Sequence, residues 1–428
     1  RLSTAIEKRQ RICVWGDFDV DGQTSTALLV SSLRKLGGEV QYHIPVRSKE
    51  SHGVNLPVLK EIIAGGIDLL LTCDTGIGAH KAVDYAKSQG VDVVISDHHD
   101  LPPDLPPAAA VINPKRGAPD HPLANLPGVG VAYQIARALF DEMGQAGGAE
   151  QHLDLVALGI VADVALQQGD VRYLLQRGLE RLRNSERLGL QVMMELAEID
   201  PAGLTEEHIG FEIGPRLNAL GRLGDANQAV EFLTTADKSQ ARLIANHLEG
   251  LNAHRKLITS QVFGAAQGQI EADPSLLRDS ALVLANPTWP GGVIGIVASR
   301  LVERYNKPVL LITAPAGEVE RGSARSIAGI DISAAIASQK DLLEGFGGHP
   351  MAAGFSLQAE RIPEFRRGLS ETVGEMLGRI SYQPFLQIDA YLPLADISPG
   401  LVADLERLAP FGQGNPSPVL ASREMQYR

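Results

Sequence analysis

Acidic residues cluster in a short stretch near the start of the chain. The sequence GDFDVDG at residues 16–22 spaces Asp17, Asp19 and Asp21 two residues apart. On an extended chain this spacing places all three carboxylates on one face. Neighbouring carboxylates repel one another, so the arrangement is costly unless a cation binds between them. Gly22 then frees the backbone for a helix, whose N-terminus suits a phosphate group.

An EF-hand calcium loop is the rival interpretation, because DFDVDG matches the opening of that loop. An EF-hand requires an acid at its twelfth position. That position is Leu28 here, and a strand-like run rather than a helix precedes the motif. The sequence therefore excludes an EF-hand.

Three further stretches carry acids or histidines beside apolar runs. LLLTCDTGIG ends a strand-like run at Asp74, VVISDHHDLPP ends another at Asp97, His98 and His99, and LGIVADVA surrounds Asp163 with apolar residues. Open α/β sheets bind ligands at the carboxyl ends of their strands. The alternatives are a plain turn for the histidine-rich stretch and a helix cap for Asp163.

Together the four stretches predict a metal site rich in oxygen ligands, with one or two imidazoles. Carboxylate and water suit Mg²⁺ or Mn²⁺, and imidazole shifts the balance toward Mn²⁺. The number of acids favours two divalent ions. Such a pair, about 4 Å apart, can hold a hydroxide nucleophile and stabilise the transition state of phosphoryl transfer. Asp97 would orient a ligating histidine without binding the metal itself.

The elements that must position these residues alternate along the first half of the chain. The predicted strands are RICVWGD, EVQYHIP, DLLLTCD, VDVVISD and AAVINP, and the predicted helices are GQTSTALLVSSLRKLGG, LPVLKEIIAGG and HKAVDYAKSQG. Apolar strands that alternate with helices indicate a parallel sheet covered on both faces. The fold class is therefore α/β.

From about Leu126 to about Gly268 the pattern is helical, and an α/β pattern then returns. The stretch 237–268 lacks proline and keeps Leu or Ile at helical spacing, which predicts one long helix between two domains. Its alternative is a pair of helices broken at Gly250. The runs SALVLANP, GGVIGIVASRLVERYN and KPVLLIT predict a second, smaller α/β domain, and the tail from Gln383 predicts the start of a β module.

The bulk properties bound the class of protein. With 428 residues, 44% of them hydrophobic and 21% charged, the chain is expected to be soluble and to form two or three domains. Its net charge of −12 argues weakly against nucleic acid, but it leaves room for a local basic groove. The two cysteines, Cys13 and Cys73, lack a pairing motif and are expected to be buried core residues in a reducing, cytoplasmic compartment. We find no membrane span or signal peptide, and both ends look like cut edges of a longer protein.

The motifs resemble a known family. GDFDVDG, CDTGIG, SDHH and GIVADV resemble the four motifs of the DHH phosphoesterase superfamily, GGHPMAAG resembles the associated DHHA1 domain, and GSARS resembles its substrate-binding loop. GPRLNALGRLGD and LAPFGQGNPSPVL narrow the resemblance to the single-strand-specific exonucleases of that superfamily. The match covers nearly the whole chain in the family's order, with no departure at a ligand position. The departures are at the ends, where an N-terminal segment is absent and the β module resembles an OB-fold cut short.

The resemblance implies four segments. These are a DHH metal-binding catalytic domain at 1–235, a linker helix at 236–268, a DHHA1 substrate-binding domain at 269–380, and a partial OB-like domain at 381–428.

The resemblance also implies roles for the acids and histidines. Asp19 and Asp21 would each bind one of two Mn²⁺ or Mg²⁺ ions, and Asp74 would bridge them. His98 and Asp163 would complete the shell of one ion. Asp17 and His99 would lie at or beside the site, Asp17 as a further ligand and His99 as a catalytic residue.

In the DHHA1-like part the resemblance implies contacts with DNA phosphate. Ser323, Arg325 and Ser326 would hold the 5′ end, and His349 would contact the scissile or a neighbouring phosphate. An arginine flanked by hydroxyls also makes physical sense as a bidentate phosphate clamp, and Gly347 with Gly348 would let a ligand approach the backbone. Both motifs are expected in turns. A Gly-Gly-His turn without function is the alternative.

Arg216 and Arg222, in GPRLNALGRLGD, are expected to reach the DNA backbone. The alternative is that they form ion pairs with acids of the metal domain.

The function implied is a two-metal exonuclease that removes 5′-mononucleotides from the 5′ end of single-stranded DNA in repair and recombination. The substrate is expected to carry a 5′-phosphorylated end. The expected partners are a single-strand-binding protein and a helicase. One competing interpretation is a DHH phosphoesterase for small substrates, namely pyrophosphate, oligoribonucleotides or cyclic dinucleotides. Another is a catalytically dead replication scaffold, which the intact set of predicted ligands disfavours.

Overall fold

Two compact units make up the chain. The computed structural model describes residues 1–47, 49–50, 52–313, 319–378 and 386–423. One unit comprises Arg1–Asn252 together with Gln387–Arg428, and the other comprises Ala253–Leu386. The C-terminal segment therefore belongs to the same unit as the N-terminal acids, although the whole second unit, Ala253–Leu386, lies between the two parts of this unit along the chain.

A five-stranded parallel sheet forms the centre of the first unit. The five predicted strands are all present: β1 (Arg11–Trp15), β2 (Glu39–His43), β3 (Leu69–Cys73), β4 (Asp92–Ser96) and β5 (Ala110–Ile112). Their order is β2-β1-β3-β4-β5, and each neighbouring pair is parallel. The α/β prediction is confirmed for this unit.

Alternate residues of the sheet enter two apolar layers. Ile12 and Val14 of β1 pack in the larger core, whereas Cys13 and Trp15 pack in a second core on the other face. Since strand side chains alternate between faces, a sheet buried on both sides needs a continuous apolar run, which β1 has. Cys13 and Cys73 are 1% and 0% exposed, which confirms them as core residues.

Helices cover this sheet and extend beyond it. They are α1 (Leu2–Glu7), α2 (Val20–Lys35), α3 (Leu56–Ala64), α4 (His80–Ser88), α5 (Gly128–Glu142), α6 (Leu153–Ala162), α7 (Gly169–Arg183), α8 (Leu188–Leu196), α9 (Glu206–His208), α10 (Gly214–Leu223) and α11 (Asn227–Thr234). A π-helical turn, Ile209–Ile213, joins α9 to α10.

The first acidic motif is not extended, and that part of the prediction is wrong. Strand β1 ends at Trp15, Asp19 is the N-cap of α2, and Asp21 lies in the first helical turn. The Asp19 side chain accepts a hydrogen bond from the Gly22 N–H at 3.0 Å, which satisfies one of the free donors of the helix start. The helix therefore begins before Gly22, and the i, i+2, i+4 spacing does not place the three carboxylates on one strand face.

A single helix, α12 (Lys238–Ala272), runs for 35 residues. This confirms the predicted long helix and excludes the break at Gly250. Nothing lies within 4 Å of a Cβ built on Gly250, so this glycine serves no close contact among the described residues. Without proline or a capping residue, one glycine costs only about 1 kcal/mol and does not end a helix.

The second unit contains a mixed sheet. Its strands are β6 (Leu282–Asn286), β7 (Val309–Thr313), β8 (Glu320–Arg325), β9 (Leu343–His349) and β10 (Ala352–Leu357), and its helices are α13 (Gly291–Tyr305), α14 (Ile332–Ala337) and α15 (Ile362–Gly378). The strand order is β6-β7-β8-β10-β9. Strands β6 and β7 are parallel, and the other neighbours are antiparallel.

The two motifs of this unit that were expected in turns lie on strands instead. Ser323 and Arg325 belong to β8, and Gly347, Gly348 and His349 end β9. Gly348 serves close packing between strands, whereas a Cβ on Gly347 would meet nothing within 4 Å among the described residues. A Cβ on Gly348 would lie 2.5 Å from the Ala352 carbonyl oxygen, so β9 and β10 approach closely because the side chain is missing.

The C-terminal segment forms a small β element. Strands β11 (Ala390–Tyr391) and β12 (Leu420–Ala421) pair in parallel, and α16 (Pro399–Glu406) lies between them in sequence. The predicted start of this module at Gln383 lies outside the described residues. Throughout the described ranges, no helix has the length and apolar character needed to cross a membrane.

Candidate metal centre at the carboxyl edge of the parallel sheet

Three adjacent strands deliver the predicted residues to one edge. Asp17 follows β1, Asp74 follows β3, and the Asp97–His99 segment follows β4. Because β1, β3 and β4 are parallel neighbours, their carboxyl ends meet at the same edge. The chain leaves β1 for β2 on one side and returns to β3 on the other. Such a switch in strand order opens a crevice at that edge.

Asp21 reaches the cluster from α2 and is held by a second helix. Its carboxylate oxygens accept the backbone N–H groups of Gly128 at 2.6 Å and Val129 at 2.8 Å, at the start of α5. The partial positive charge of a helix N-terminus stabilises a carboxylate there. Asp21 is 1% exposed, so this anchor fixes a buried acid in one orientation.

His98 lies at the centre of the cluster. Its Nε2 atom is 3.0 Å from Asp74 Oδ1 and 3.8 Å from Asp21 Oδ2, and its Nδ1 atom is 4.0 Å from Asp163 Oδ2. Asp163 is the C-cap residue of α6, as the helix-cap alternative predicted. It also lies in the cluster, so the two interpretations do not exclude each other. Three overlapping groups have ligand atoms within 4.8 Å of one another: Asp17, Asp19 and Asp74; Asp21, His98 and Asp163; and Asp74, His98 and His99.

Burial makes these carboxylates hard to ionise together. It raises the pKa of Asp17 and of Asp163 to about 7, with Asp19 adding to both shifts by repulsion. Burial and neighbouring carboxylates also raise the pKa of Asp21 and of Asp74 well above the usual range. Divalent cations would neutralise this charge, and the donor set of carboxylate oxygens with imidazole suits Mn²⁺ or Mg²⁺. The residues present therefore fit a metal site.

Asp97 holds the second histidine rather than the first. Its Oδ1 atom lies 2.7 Å from His99 Nδ1 and also accepts the backbone N–H of His98, and its Oδ2 atom accepts the N–H of Ile77. Burial acts to raise the pKa of Asp97, but the hydrogen bonds and charge of His99 outweigh it and the pKa is lowered. The same hydrogen bond raises the pKa of His99 to about 9.

Two further residues at this edge were missed from the sequence. Arg47 stacks on the Phe18 ring, with its guanidinium carbon 3.9 Å from the ring centroid. His52 Nδ1 lies 3.9 Å from Asp17 Oδ2. Both follow β2, which is also a strand of the parallel sheet. The rule that ligands bind at carboxyl ends of strands would have found them had it been applied to this strand as well.

Gly128 is a third residue that sequence reasoning missed. A Cβ at this position would lie 2.6 Å from Asp74 Oδ1. The bare glycine therefore lets the start of α5 approach both Asp21 and Asp74. Its signal was the sequence PGVGV, in which a glycine follows a proline at a helix start.

In the second unit, three of the predicted phosphate ligands share one face of the sheet. Arg325 and His349 both pair with Ala352 of β10, one from each side, and Ser323 lies two residues before Arg325. Directly opposed residues of antiparallel strands project to the same face. Arg325 Nη1 donates to Ser323 Oγ at 3.1 Å, and burial lowers the pKa of Arg325. Register, rather than a turn, brings these side chains together.

Ser326 does not join that face. It is 5% exposed, and its hydroxyl donates to the Ile330 carbonyl at 2.7 Å. Its hydroxyl therefore closes the turn that follows β8.

Arg216 forms ion pairs, as the alternative interpretation predicted. It is 7% exposed, with Nε 2.6 Å from Glu249 Oε2 and Nη1 2.9 Å from Glu212 Oε2. The expectation that Arg216 reaches DNA is not supported by this placement, because its donors are directed to acids of its own unit. Arg222, one and a half turns further along α10, is partly buried.

Comparison with known proteins agrees with this architecture. The family model described as "DHH family, N-terminal domain" matches residues 11–160, "DHHA1 domain" matches 278–375, and "RecJ OB domain" matches 388–428. The single-stranded-DNA-specific exonuclease RecJ of Bacillus subtilis is 37% identical over 98% of this chain and 52% of its own length. The same-named protein of Dickeya dadantii is 38% identical over 99% of this chain and 76% of its own length. The chain thus spans about half to three quarters of the curated relatives it matches.

A solved structure has a similar fold. The crystal structure of RecJ in complex with Mn²⁺ from Thermus thermophilus matches with a TM-score of 0.85 and 33% identity, over 98% of this chain and 60% of that one. The fold and the carboxylate cluster are those of a DHH-family protein. Within that class, the chain belongs to the RecJ family of single-stranded-DNA-specific exonucleases.

Proposed function

We propose that this chain is the catalytic part of a metal-dependent exonuclease that hydrolyses single-stranded DNA from the 5′ end and releases 5′-mononucleotides. The observation that carries the proposal is the cluster of buried and partly exposed carboxylates around His98 in a chain that also matches the RecJ OB domain at 388–428. Relatives named for this activity cover nearly the whole chain. The expected role is in DNA repair and recombination.

The proposed ligands divide between two ions. Asp17, Asp19 and Asp74 form one group and Asp21, His98 and Asp163 form the other, with Asp74 close enough to His98 to serve both. Asp74 is therefore the proposed bridge. When bound, two Mn²⁺ or Mg²⁺ ions would ease deprotonation of water and neutralise charge that develops on the phosphate.

The protein's own residues prepare this chemistry. The N-terminus of α5 fixes the Asp21 carboxylate, so its geometry does not depend on the substrate. Asp97 accepts a hydrogen bond from His99 Nδ1, which raises the pKa of His99 to about 9 and favours its protonated form near neutral pH. A protonated imidazole suits contact with a phosphate oxygen or proton transfer to a leaving oxygen. Arg47 offers a further positive charge beside Asp17.

Substrate contacts are proposed for the second unit as well. Ser323, Arg325 and His349 on the shared face of β8 and β9 would hold phosphate, and Arg325 would bind the 5′-phosphate. Ser326 would support the neighbouring turn. Arg222 remains a proposed backbone contact, and Arg216 would stabilise α10 instead.

The remaining proposals concern the protein's location in the cell, its partners and its domain boundaries. The free, buried Cys13 and Cys73 support a cytoplasmic location. A single-strand-binding protein and a helicase are the proposed partners, since both generate or hold single strands. We also propose domain boundaries at 1–235, 236–268, 269–380 and 381–428.

The test is hydrolysis of end-labelled, 5′-phosphorylated single-stranded DNA with Mn²⁺, with Mg²⁺ and with chelator. Duplex DNA, RNA, pyrophosphate and a cyclic dinucleotide serve as competing substrates. Asp74→Asn is the inactive variant. Asp100→Asn is its matched control, because this exposed carboxylate of the same motif pairs with Lys115 at 2.7 Å outside the cluster.

We expect mononucleotides from single-stranded DNA alone, lost with chelator and with Asp74→Asn and retained in Asp100→Asn. Hydrolysis of pyrophosphate or a dinucleotide in place of DNA would transfer the chain to the small-substrate phosphoesterases. Parental activity in Asp74→Asn would contradict the bridging role of Asp74.

A further inference from the structure

The C-terminal segment packs against the loop that carries Asp163. We name residues 408–415 the C-terminal clasp and residues 163–168 the Asp163 loop. The Gln167 N–H donates to the Gln413 carbonyl at 2.7 Å, and Gln167 is 4% exposed. This contact joins two segments that are about 245 residues apart in sequence but lie in one compact unit.

The side chain of Arg172, in the first turn of α7, binds the backbone of the clasp. Its guanidinium donates to the carbonyls of Pro410 at 2.7 Å, Leu408 at 2.6 Å and Ala409 at 3.0 Å. A guanidinium presents its donors in a fixed planar fork, so three carbonyls on one side chain define the position of the segment. Directional hydrogen bonds, and not apolar contact alone, therefore fix the position of the clasp.

A buried carboxylate completes the docking. Glu206, 7% exposed, accepts the N–H of Phe411 at 2.6 Å. A carboxylate in this position would be costly without that partner. Within the clasp, the Asn415 side chain donates to the carbonyls of Leu408 and Pro410, which holds the segment in its turn.

The two glycines of the clasp have a specific reason to be there. A Cβ on Gly412 would lie 2.1 Å from Gln167 Nε2, and one on Gly414 would lie 2.5 Å from Leu166 Cδ1. Both glycines also have positive φ, 156° and 83°. The clasp thus packs against two consecutive residues of the Asp163 loop. A side chain at Gly412 or Gly414 would displace the end of the Gln167 or Leu166 side chain, and the positive φ would add backbone strain.

Asp163 needs such support more than Asp21 and Asp74. It is the C-cap residue of α6, where the helix ends and the Asp163 loop begins, and its side chain is 29% exposed, against 1% for Asp21 and 2% for Asp74. The next residue, Val164, has a φ of 54°, a conformation that β-branched residues rarely adopt. Helix α6 fixes one end of this strained loop, and the clasp fixes the other.

We propose that the C-terminal clasp positions Asp163 for metal binding, with Arg172 as its principal positioning residue. The inference rests on the proposed role of Asp163 as a metal ligand. On this proposal the sequence LAPFGQGN supports the metal centre, in addition to any role of the C-terminal module in binding DNA. Undocking the clasp should selectively lower the affinity for one of the two metal ions.

The test measures Mn²⁺ binding directly, by titration calorimetry and by the electron paramagnetic resonance signal of free Mn²⁺. Variants Arg172→Ala, Arg172→Lys and Gly414→Ala of the full chain are compared with Arg177→Ala, which removes an exposed ion pair on the same helix. Melting temperatures are measured in chelator to separate stability from metal affinity. The double variant Asp163→Asn/Arg172→Ala completes a mutant cycle.

We expect Arg172→Ala and Gly414→Ala to bind one Mn²⁺ at least about tenfold more weakly and the other as the parent does, with partial recovery in Arg172→Lys. In the Asp163→Asn background, Arg172→Ala should weaken metal binding no further. A lower melting temperature with parental affinity at both sites would overturn the inference while leaving the proposed metal site intact. If Arg172→Ala fails to fold, Gly414→Ala decides by the same measurement. A parent chain that binds no Mn²⁺ would refute the metal site and, with it, the role of the clasp.

Discussion

Asp21 and Gly128 are joined by a hydrogen bond of 2.6 Å, from the first N–H of α5 to a buried carboxylate oxygen. Gly128 also faces Asp74, since a Cβ on it would lie 2.6 Å from Asp74 Oδ1. One residue without a side chain therefore sets the positions of two proposed metal ligands. This relationship gives the first prediction.

Gly128→Ala should lower kcat on single-stranded DNA by about 100-fold or more, because an ångström of displacement at a catalytic carboxylate has an effect of that size. Mn²⁺ binding should weaken in parallel. Gly250→Ala is the matched control, because its helix position is open to a methyl group and alanine is favoured there. Parental kcat and Mn²⁺ affinity in Gly128→Ala would show that the cluster tolerates the shift.

Metal affinity should depend on pH with a defined sign. The pKa of Asp17 and of Asp163 is raised to about 7, so below pH 7 the metal-free cluster holds protons that Mn²⁺ must displace. The apparent Kd should therefore tighten as pH rises from 5 to about 7 and change little above that. Calorimetric titrations at several pH values, in buffers of different ionisation enthalpy, would count the protons released.

Metal removal should make the protein's stability fall with rising pH. A carboxyl whose folded pKa is raised binds more protons folded than unfolded, so its contribution is present below the unfolded pKa near 4 and lost as pH rises through about 7. Differential scanning calorimetry in chelator should show this loss. Mn²⁺ at about 100 times its Kd should add about 2.7 kcal/mol to the free energy of unfolding at pH 8. A pH profile that is the same with and without Mn²⁺ would count against the cluster as the metal site.

His152 should contribute a pH dependence of opposite sign, far from the cluster's chemistry. It is 3% exposed and accepts from Arg187 at 2.7 Å through Nδ1, while Arg187 also binds the buried Asp154. Burial, and then the Arg187 charge, lower the pKa of His152 to about 3. The unfolded chain therefore binds the extra proton between about pH 6.5 and 3, and stability is lost as pH falls through that window, by up to about 1.4 kcal/mol per pH unit.

The comparison that isolates this effect is between the parent chain and His152→Asn, whose amide oxygen can take the place of Nδ1. Denaturant unfolding at pH 7.5 and pH 5 should show a smaller loss of stability in the variant. An equal loss in both proteins would mean that His152 is protonated in the folded state.

Arg216 should matter for stability and not for DNA. Its two ion pairs, with Glu212 and Glu249, use a guanidinium that is itself buried. Arg216→Ala should cost about 2 kcal/mol of unfolding free energy. The slope of log K for single-stranded DNA against log salt concentration should stay unchanged, whereas loss of a phosphate contact would lower it by about 0.7. Arg325→Ala in the second unit is the contrasting variant, for which we expect a lower slope and a weaker preference for a 5′-phosphate.

The order of elements could be predicted from local patterns. Apolar runs such as those of β1, β3 and β4, each ending in an acid, identified a parallel sheet with a metal site at its carboxyl edge. The absence of proline between residues 237 and 268, together with Leu or Ile at helical spacing, was enough to predict α12. These features succeed because secondary structure follows the periodicity of side chains along the chain, and because parallel strands bring their ends to one edge.

The tertiary structure decided how side chains converge. Asp21 was expected on a strand face but is held by a helix that begins over 100 residues later, and Arg216 was expected at DNA but is paired with two acids. Ser326 turns inward, while His349 and Arg325 meet on one face through the register of three strands. The stacking of Arg47 on Phe18 and the docking of the C-terminal clasp on the Asp163 loop join segments that are not neighbours in sequence. Spacing along the chain fixes what a segment becomes, but contacts between distant segments depend on sheet order and register, which no single stretch encodes.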